Sequence, residues 1–134
     1  MHKQIFVNLP IADMAKSRAF FSALGYAFDP NFSNDQGAAL VLGENLYAML
    51  LVRDFFKTFT ARPIADAKLS TSVLVCLSCD SREEVDALVR KAVAAGGSAP
   101  RAAQDHGFMY GHGFEDPDGH VWELVHMTGL PPQA

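Results

Sequence analysis

The chain has 134 residues, 49% of them hydrophobic and 19% charged, with a formal net charge of −4. That length suits one compact unit with a substantial apolar core, and the acidic balance without a basic cluster excludes nucleic acid and anionic membranes as expected partners. No apolar run approaches the roughly 20 residues that span a bilayer, and Met1-His-Lys-Gln carries no signal-peptide pattern, so a cytoplasmic location is expected.

Residues 3–9 are rich in strand-forming types and close at Pro10. Asp13 is placed to cap a helix with Met14, Arg18, Phe21 and Leu24 at helical spacing, and Ala19 and Phe20 are also available to a core. Gly25 stands where a helix-ending residue should. Three strands are predicted next, over residues 26–32, 38–42 and 46–52, separated by Asn34-Asp-Gln-Gly37 and Gly43-Glu-Asn45 turns.

The second half repeats this plan. Residues 71–78 read as a strand, Asp80-Ser-Arg-Glu83 as a capping box, and Val85, Leu88, Val89, Ala92 and Val93 as an apolar helical stripe stopped by Gly96-Gly97. Strands are predicted around residues 98–103, 108–114 and 121–127. Asp13 and Asp80 fall at equivalent strand-to-helix positions about 67 residues apart. The expected fold is therefore α+β, two tandem βαβββ modules over residues 1–53 and 70–134. The connector, residues 54–69, carries Phe55, Phe56 and Phe59, and reads either as a short helix sealing the core or as a lid.

Cys76 and Cys79 are spaced as C-x-x-C, a pattern that elsewhere marks redox or zinc sites. Here the pair falls on a predicted strand. Residues three apart on a strand point to opposite faces, so the two sulfurs are not expected to meet.

The last hairpin poses the functional question. Asp116-Pro-Asp-Gly119 is turn chemistry, and Val121-Trp-Glu-Leu-Val125 is a strand interior by composition. Glu123 is its odd member, since a carboxylate on an apolar strand must face water, a partner or a metal. With a four-residue turn, Glu115 pairs with His120. His112 then lies across from Glu123 and Tyr110 across from Val125, which makes Glu123, His112 and Tyr110 the candidate catalytic group. The same His112/Glu123 pair could instead hold a metal or be a satisfied buried hydrogen bond. His106 reads as a rim turn residue and His126, on the face of Trp122 and Leu124, as peripheral. Gly111-His-Gly113 is not followed by a helix and fails the dinucleotide context.

The hairpin "F-E-D-P-D-G-H-V-W-E-L" and the segment from Asn8 to Tyr26 resemble the vicinal oxygen chelate superfamily, the glyoxalase, bleomycin-resistance and extradiol dioxygenase group. The resemblance implies half-barrel sheets curled around a cavity and a homodimer. It also implies metal-ligand slots at Phe6, at Leu74, in the last strand of the first module (residues 47–52) and at Glu123. Only Glu123 is a ligand type, and one carboxylate cannot hold a divalent ion by itself. No cofactor is therefore expected, and a metal-polarised glyoxalase reaction is disfavoured. A divalent metal stays possible only on a rebuilt site at Glu123 and His112.

The inward-facing set is expected to be Phe6, Asn8, Met49, Leu74, Cys76, Tyr110 and Glu123, with Phe55 from the connector. A mostly apolar hollow with a few polar groups is the usual composition of a small-molecule site. The expected function is small-molecule binding of the glyoxalase/bleomycin-resistance type without the metal. The alternatives are a lyase, isomerase or dioxygenase-like enzyme built on His112 and Glu123, and a dimer whose cavity is filled by its own side chains.

Overall fold

A computed structural model describes residues 1–132; Gln133 and Ala134, counted above in the second module, lie outside the described residues. The chain divides into two units, residues 1–66 and residues 67–134.

The first unit runs β1 (Ile5–Ile11), α1 (Met14–Ala23), β2 (Ala27–Asp29), β3 (Gly37–Gly43), β4 (Leu46–Val52) and the short helix α2 (Arg53–Phe56). Its sheet has the order β1-β4-β3-β2, with β1 parallel to β4 and the other pairs antiparallel. β1 continues two residues past the predicted end. Pro10 is tolerated there because β1 is an edge strand, where a missing N–H breaks no ladder. β2 is shorter than predicted because Pro30 opens a 3₁₀ turn whose first amide, that of Asn31, is capped by the Asp29 carboxylate at 2.9 Å. α1 begins as expected: the Asp13 carboxylate accepts the Lys16 amide at 3.0 Å. It ends on Gly25 at φ +100, a left-handed conformation that suits glycine. α1 packs on β3 and β4. The unit's core holds Phe20, Phe21, Leu24, Leu40 and Leu50, all buried, and each such side chain contributes about 1.5–3 kcal/mol. Ala19, offered to that core by spacing, is exposed, and Ser17 is buried in its stead.

The second unit runs β5 (Leu74–Ser78), α3 (Arg82–Ala94), β6 (Gln104–Asp105), β7 (Met109–Glu115) and β8 (Val121–Met127), in the sheet order β5-β8-β7-β6. The topology repeats that of the first unit, strand for strand. β5 begins at Leu74, three residues after the expected start at residue 71. The cap of α3 is Ser81, not Asp80: Ser81 Oγ accepts the Glu84 amide at 3.0 Å, and Glu84 returns a bond to the Asp80 amide at 3.0 Å, so the box sits one residue later. The strand predicted over residues 98–103 is reduced to a single bridge between Ser98 and Glu115, with β6 forming after it. Pro100 has no N–H and restricts Ala99, which prevents a continuous ladder there. α3 packs on β7 and β8 through Val85, Val89 and Ala92, opposite Phe114, Trp122 and Leu124. Val93 is half exposed, so the apolar stripe is narrower than its spacing suggests.

Ala67 and Lys68 belong with this second unit for a steric reason. A Cβ on Gly119 (φ +92) would come within 2.9 Å of Lys68 N and 3.0 Å of Ala67 C, so the turn must be glycine where the incoming chain crosses it. The connector itself holds α2 and a 3₁₀ turn, Lys57–Phe59, with Phe55 and Phe59 edge-to-face at 5.2 Å.

Candidate functional site

The β7–β8 turn decides which side chains meet. The predicted four-residue connection is five residues long, from Asp116 to His120, because Asp116 gathers the turn onto its own carboxylate. Asp116 Oδ1 accepts the amides of Asp118 at 2.9 Å and His120 at 3.0 Å, and the Asp116 amide donates to His120 O at 3.0 Å. His120 is thereby drawn into the turn, and Glu115 pairs with Val121. Every pairing downstream shifts by one. His112 lies across from Leu124, Tyr110 across from His126, and Glu123 faces Gly113.

The His112/Glu123 pairing is thus corrected: a one-residue slip sends a side chain to the other face of a sheet. Tyr110 and His112 share their face with Leu124 and the α3 side, away from Glu123. Tyr110 Oη donates to Asp86 Oδ1 on α3 at 2.6 Å, and this bond, followed by burial, raises its pKa. His112 Nε2 bonds Arg101 O at 2.9 Å. The three candidate catalytic residues are not brought together.

On the other face, Glu123 sits between Cys76 of β5 and Gly113 of β7, with Leu74 beside Val121 and Gly111 beside Val125. This face forms the floor of a pocket of about 320 Å³ that lies wholly within the second unit. Its walls come from Thr71, from residues 100–102, and from Gln104, His106 and Met109; His112, Phe114 and Leu124 border it although register assigns their side chains to the opposite face. His106 is thus among the lining residues. The Cys76 thiol is raised above its ordinary value of 9.0, first by burial and then by the Glu123 charge. Cys79 lies just past β5, and burial, followed by Glu84 and Asp80, pushes its thiol up to about 11. Both cysteines are free.

A clamp holds one wall. Arg82 at the start of α3 grips Asp105 of β6 through two bonds, at 2.7 and 3.0 Å, and lies 4.9 Å over the Tyr110 ring. His112 holds Arg101 from below. Together they tie the segment preceding β7 to the sheet and helix behind it.

In the first unit the equivalent register places Asn8 beside Met49, and Met49 beside Ala39. Phe6 stacks on Tyr47 at 5.0 Å and is half exposed. Phe55 of α2 lies against Leu51 at the end of this face: a Cβ on Gly37 would meet Leu51 Cδ2 at 3.0 Å and the Phe55 ring at 3.6 Å. Each unit therefore has one face packed under its helix. The open face of the first is partly covered by its own Phe55.

The family model described as Glyoxalase/Bleomycin resistance protein/Dioxygenase superfamily matches residues 3–124. The chain belongs to this superfamily. Among solved structures similar to it is hypothetical protein SA1046 from S. aureus, 25% identical, with a TM-score of 0.80 and 94% of each chain covered. A glyoxalase-related enzyme from Fulvimarina pelagi is 22% identical, with a TM-score of 0.81 over 100% of this chain and 94% of its own. The fosfomycin resistance protein FosX from Listeria monocytogenes is 19% identical, with a TM-score of 0.67 over 100% of this chain and 96% of its own. At these last two identities the likeness speaks for the fold. No curated protein matches the chain in sequence.

The superfamily resemblance implies a divalent metal, and the donor set can be tested against one. The implied slots hold Phe6, Leu74 and Glu123, and Glu123's counterpart in the first unit is Met49. Among the described residues, register sets one further donor type beside Glu123, the Cys76 thiol, which makes two donors at most. Among the described residues no three of His, Cys, Asp and Glu come together as a metal group. These residues do not fit a divalent ion, which needs several charged or imidazole donors.

Sequence reasoning missed Gly111 and Gly113 as the pocket floor, and Arg101, Gln104, Met109 and Val125 as its borders. The glycines were legible: two-residue spacing on a strand puts both on one face. The borders were not, because they depend on where the clamp holds the segment before β7.

Proposed function

We propose that this superfamily member binds a small organic molecule in the pocket of its second unit, without the metal its relatives' slots would hold. The observation that carries this reading is the open face around Glu123: apolar Leu74, Val121 and Val125, two glycines with no side chains, and the carboxylates of Glu123 and, at the end of β7, Glu115. A concave, mainly apolar site with few converging polar groups is the usual composition of a ligand pocket. A pocket of that size also weighs against a cavity filled by the protein's own side chains. The enzyme reading built on His112 and Glu123 is weakened by the register, which turns the two apart.

The working context we propose is a cytoplasmic homodimer. Exposed Ile5, Phe6 and Leu46 in the first unit support a second copy, and two free cysteines suit a reducing compartment. No helix among the described residues is long and apolar enough to cross a membrane.

The test is a thermal-shift panel of small organic compounds against the full chain. A ligand specific to the folded state raises the melting midpoint. Gly111→Leu, which fills the floor, should erase the shift. A panel of several hundred varied compounds that moves the wild-type midpoint nowhere would overturn the reading.

A further inference from the structure

We infer that the ligand is a flat aromatic cation, an aryl amidine, lying on the bare backbone of Gly111 and Gly113 with its positive group against Glu123; this rests on the pocket reading above.

The flatness follows from β7. Its open-face positions are Met109, Gly111, Gly113 and Glu115, so the middle of the strand presents peptide planes with no side chains. The neighbours on β8 lean over it: Val125 Cγ1 lies 3.5 Å from where a Gly111 Cβ would stand, and Glu123 Cγ 3.8 Å from that of Gly113. β6 bounds the other side through Gln104, which pairs with Gly111. A lane of exposed backbone between two rows of side chains admits a thin group, and a ring rests on such a surface at about 3.5–4 Å with full dispersion contact.

The charge follows from Glu123. Its carboxylate makes no hydrogen bond or ion pair with any described residue, and Leu74, Val121 and Val125 surround it. A neutral hydrocarbon entering the lane would strip water from the carboxylate without compensation. An anion would be repelled. A cationic N–H donor replaces the lost water with a charge-assisted bond. Arg101 and His106 also line the pocket, and Glu115 at the end of the lane adds a second acid, so the probes differ in the sign of their charge.

The probes are 2-naphthamidine, 2-naphthamide, 2-naphthoate and the saturated decahydro analogue of the amidine, measured by calorimetry and thermal shift on the full chain. The amidine should bind at least about tenfold tighter than the amide, the naphthoate should not bind, and the saturated amidine should be weaker than the flat one. Glu123→Gln should bring the amidine down to the amide's affinity and leave the amide unchanged. Gly111→Leu should abolish binding, while Gly111→Ala, whose Cβ meets Val125 at an ordinary 3.5 Å, controls for folding. Naphthoate binding better than the amidine, a saturated amidine binding as well as the flat one, or a preference that survives Glu123→Gln overturns the inference. If none of the four binds but other compounds give shifts sensitive to Gly111→Leu, this inference fails and the pocket reading stands. If no compound binds at all, both fall.

Discussion

Asp116 accepts the indole N–H of Trp122 at 3.0 Å, and both side chains are buried. The same carboxylate holds the amides of Asp118 and His120, so one acidic side chain closes the turn, sets the register of β8 and anchors the largest core residue. Asp116→Ala should cost about 3 kcal/mol, since it orphans a buried indole N–H and two turn amides together. Urea unfolding monitored by Trp122 fluorescence measures it; a loss under about 1 kcal/mol would mean that the turn is held by other contacts.

Burial is the main influence on the Asp116 carboxyl and raises it above its ordinary 3.8, with the Trp122 bond opposing. The folded state therefore holds the proton more tightly than the unfolded chain. The stability this contributes is complete below the ordinary value and is lost as pH rises through the raised one. The margin of wild type over Asp116→Asn should accordingly be larger at about pH 3.5 than at about pH 7. Urea midpoints for both proteins at the two pH values check the sign.

The start of α3 separates two adjacent candidates. Ser81→Ala should cost about 1 kcal/mol by removing the acceptor of the Glu84 amide. Asp80→Ala should stay within about 0.5 kcal/mol, because Asp80 enters the box only through its backbone N–H. Equal losses in chemical denaturation would refute the one-residue shift of the box.

Arg82 and Asp105 should govern the mobility of the pocket wall. Arg82→Lys replaces a two-pronged grip with a point charge, so the His106 amide, bonded to Met109 O at 2.8 Å, should exchange faster with solvent while the Val89 amide of α3 does not change. Because the Arg82 bond holds Asp105 below its ordinary 3.8, the clamp persists above that value and is lost as pH falls through the lowered one. Added salt should mimic the substitution, since both groups are exposed.

Cys79 should alkylate at about pH 8 at least about tenfold more slowly in the folded protein than in the unfolded chain, because only the thiolate reacts and its pKa is pushed up to about 11. Glu84→Gln keeps an acceptor for the Asp80 amide and removes the charge that raises the Cys79 thiol most, so it should speed the reaction. Mass spectrometry of iodoacetamide time courses resolves the two cysteines.

Local chemistry determined the plan of this chain before any fold was in view. Apolar periodicity, Asp13 and Gly25 at the ends of one helix, Gly96 after the other, and the recurrence of strand–helix–strands needed only neighbouring residues to be read, because caps and amphipathic stripes are local physics. Glu123 was likewise visible as an acid on an apolar strand.

Which residues share the pocket with Glu123 was a tertiary matter. It turned on the number of residues Asp116 folds into the β7–β8 turn, and strand pairing has period two, so one residue replaced His112 with Gly113. No composition or spacing reports that count, since it arises from a buried carboxylate reaching an indole six positions away only once the sheet and α3 have closed around both.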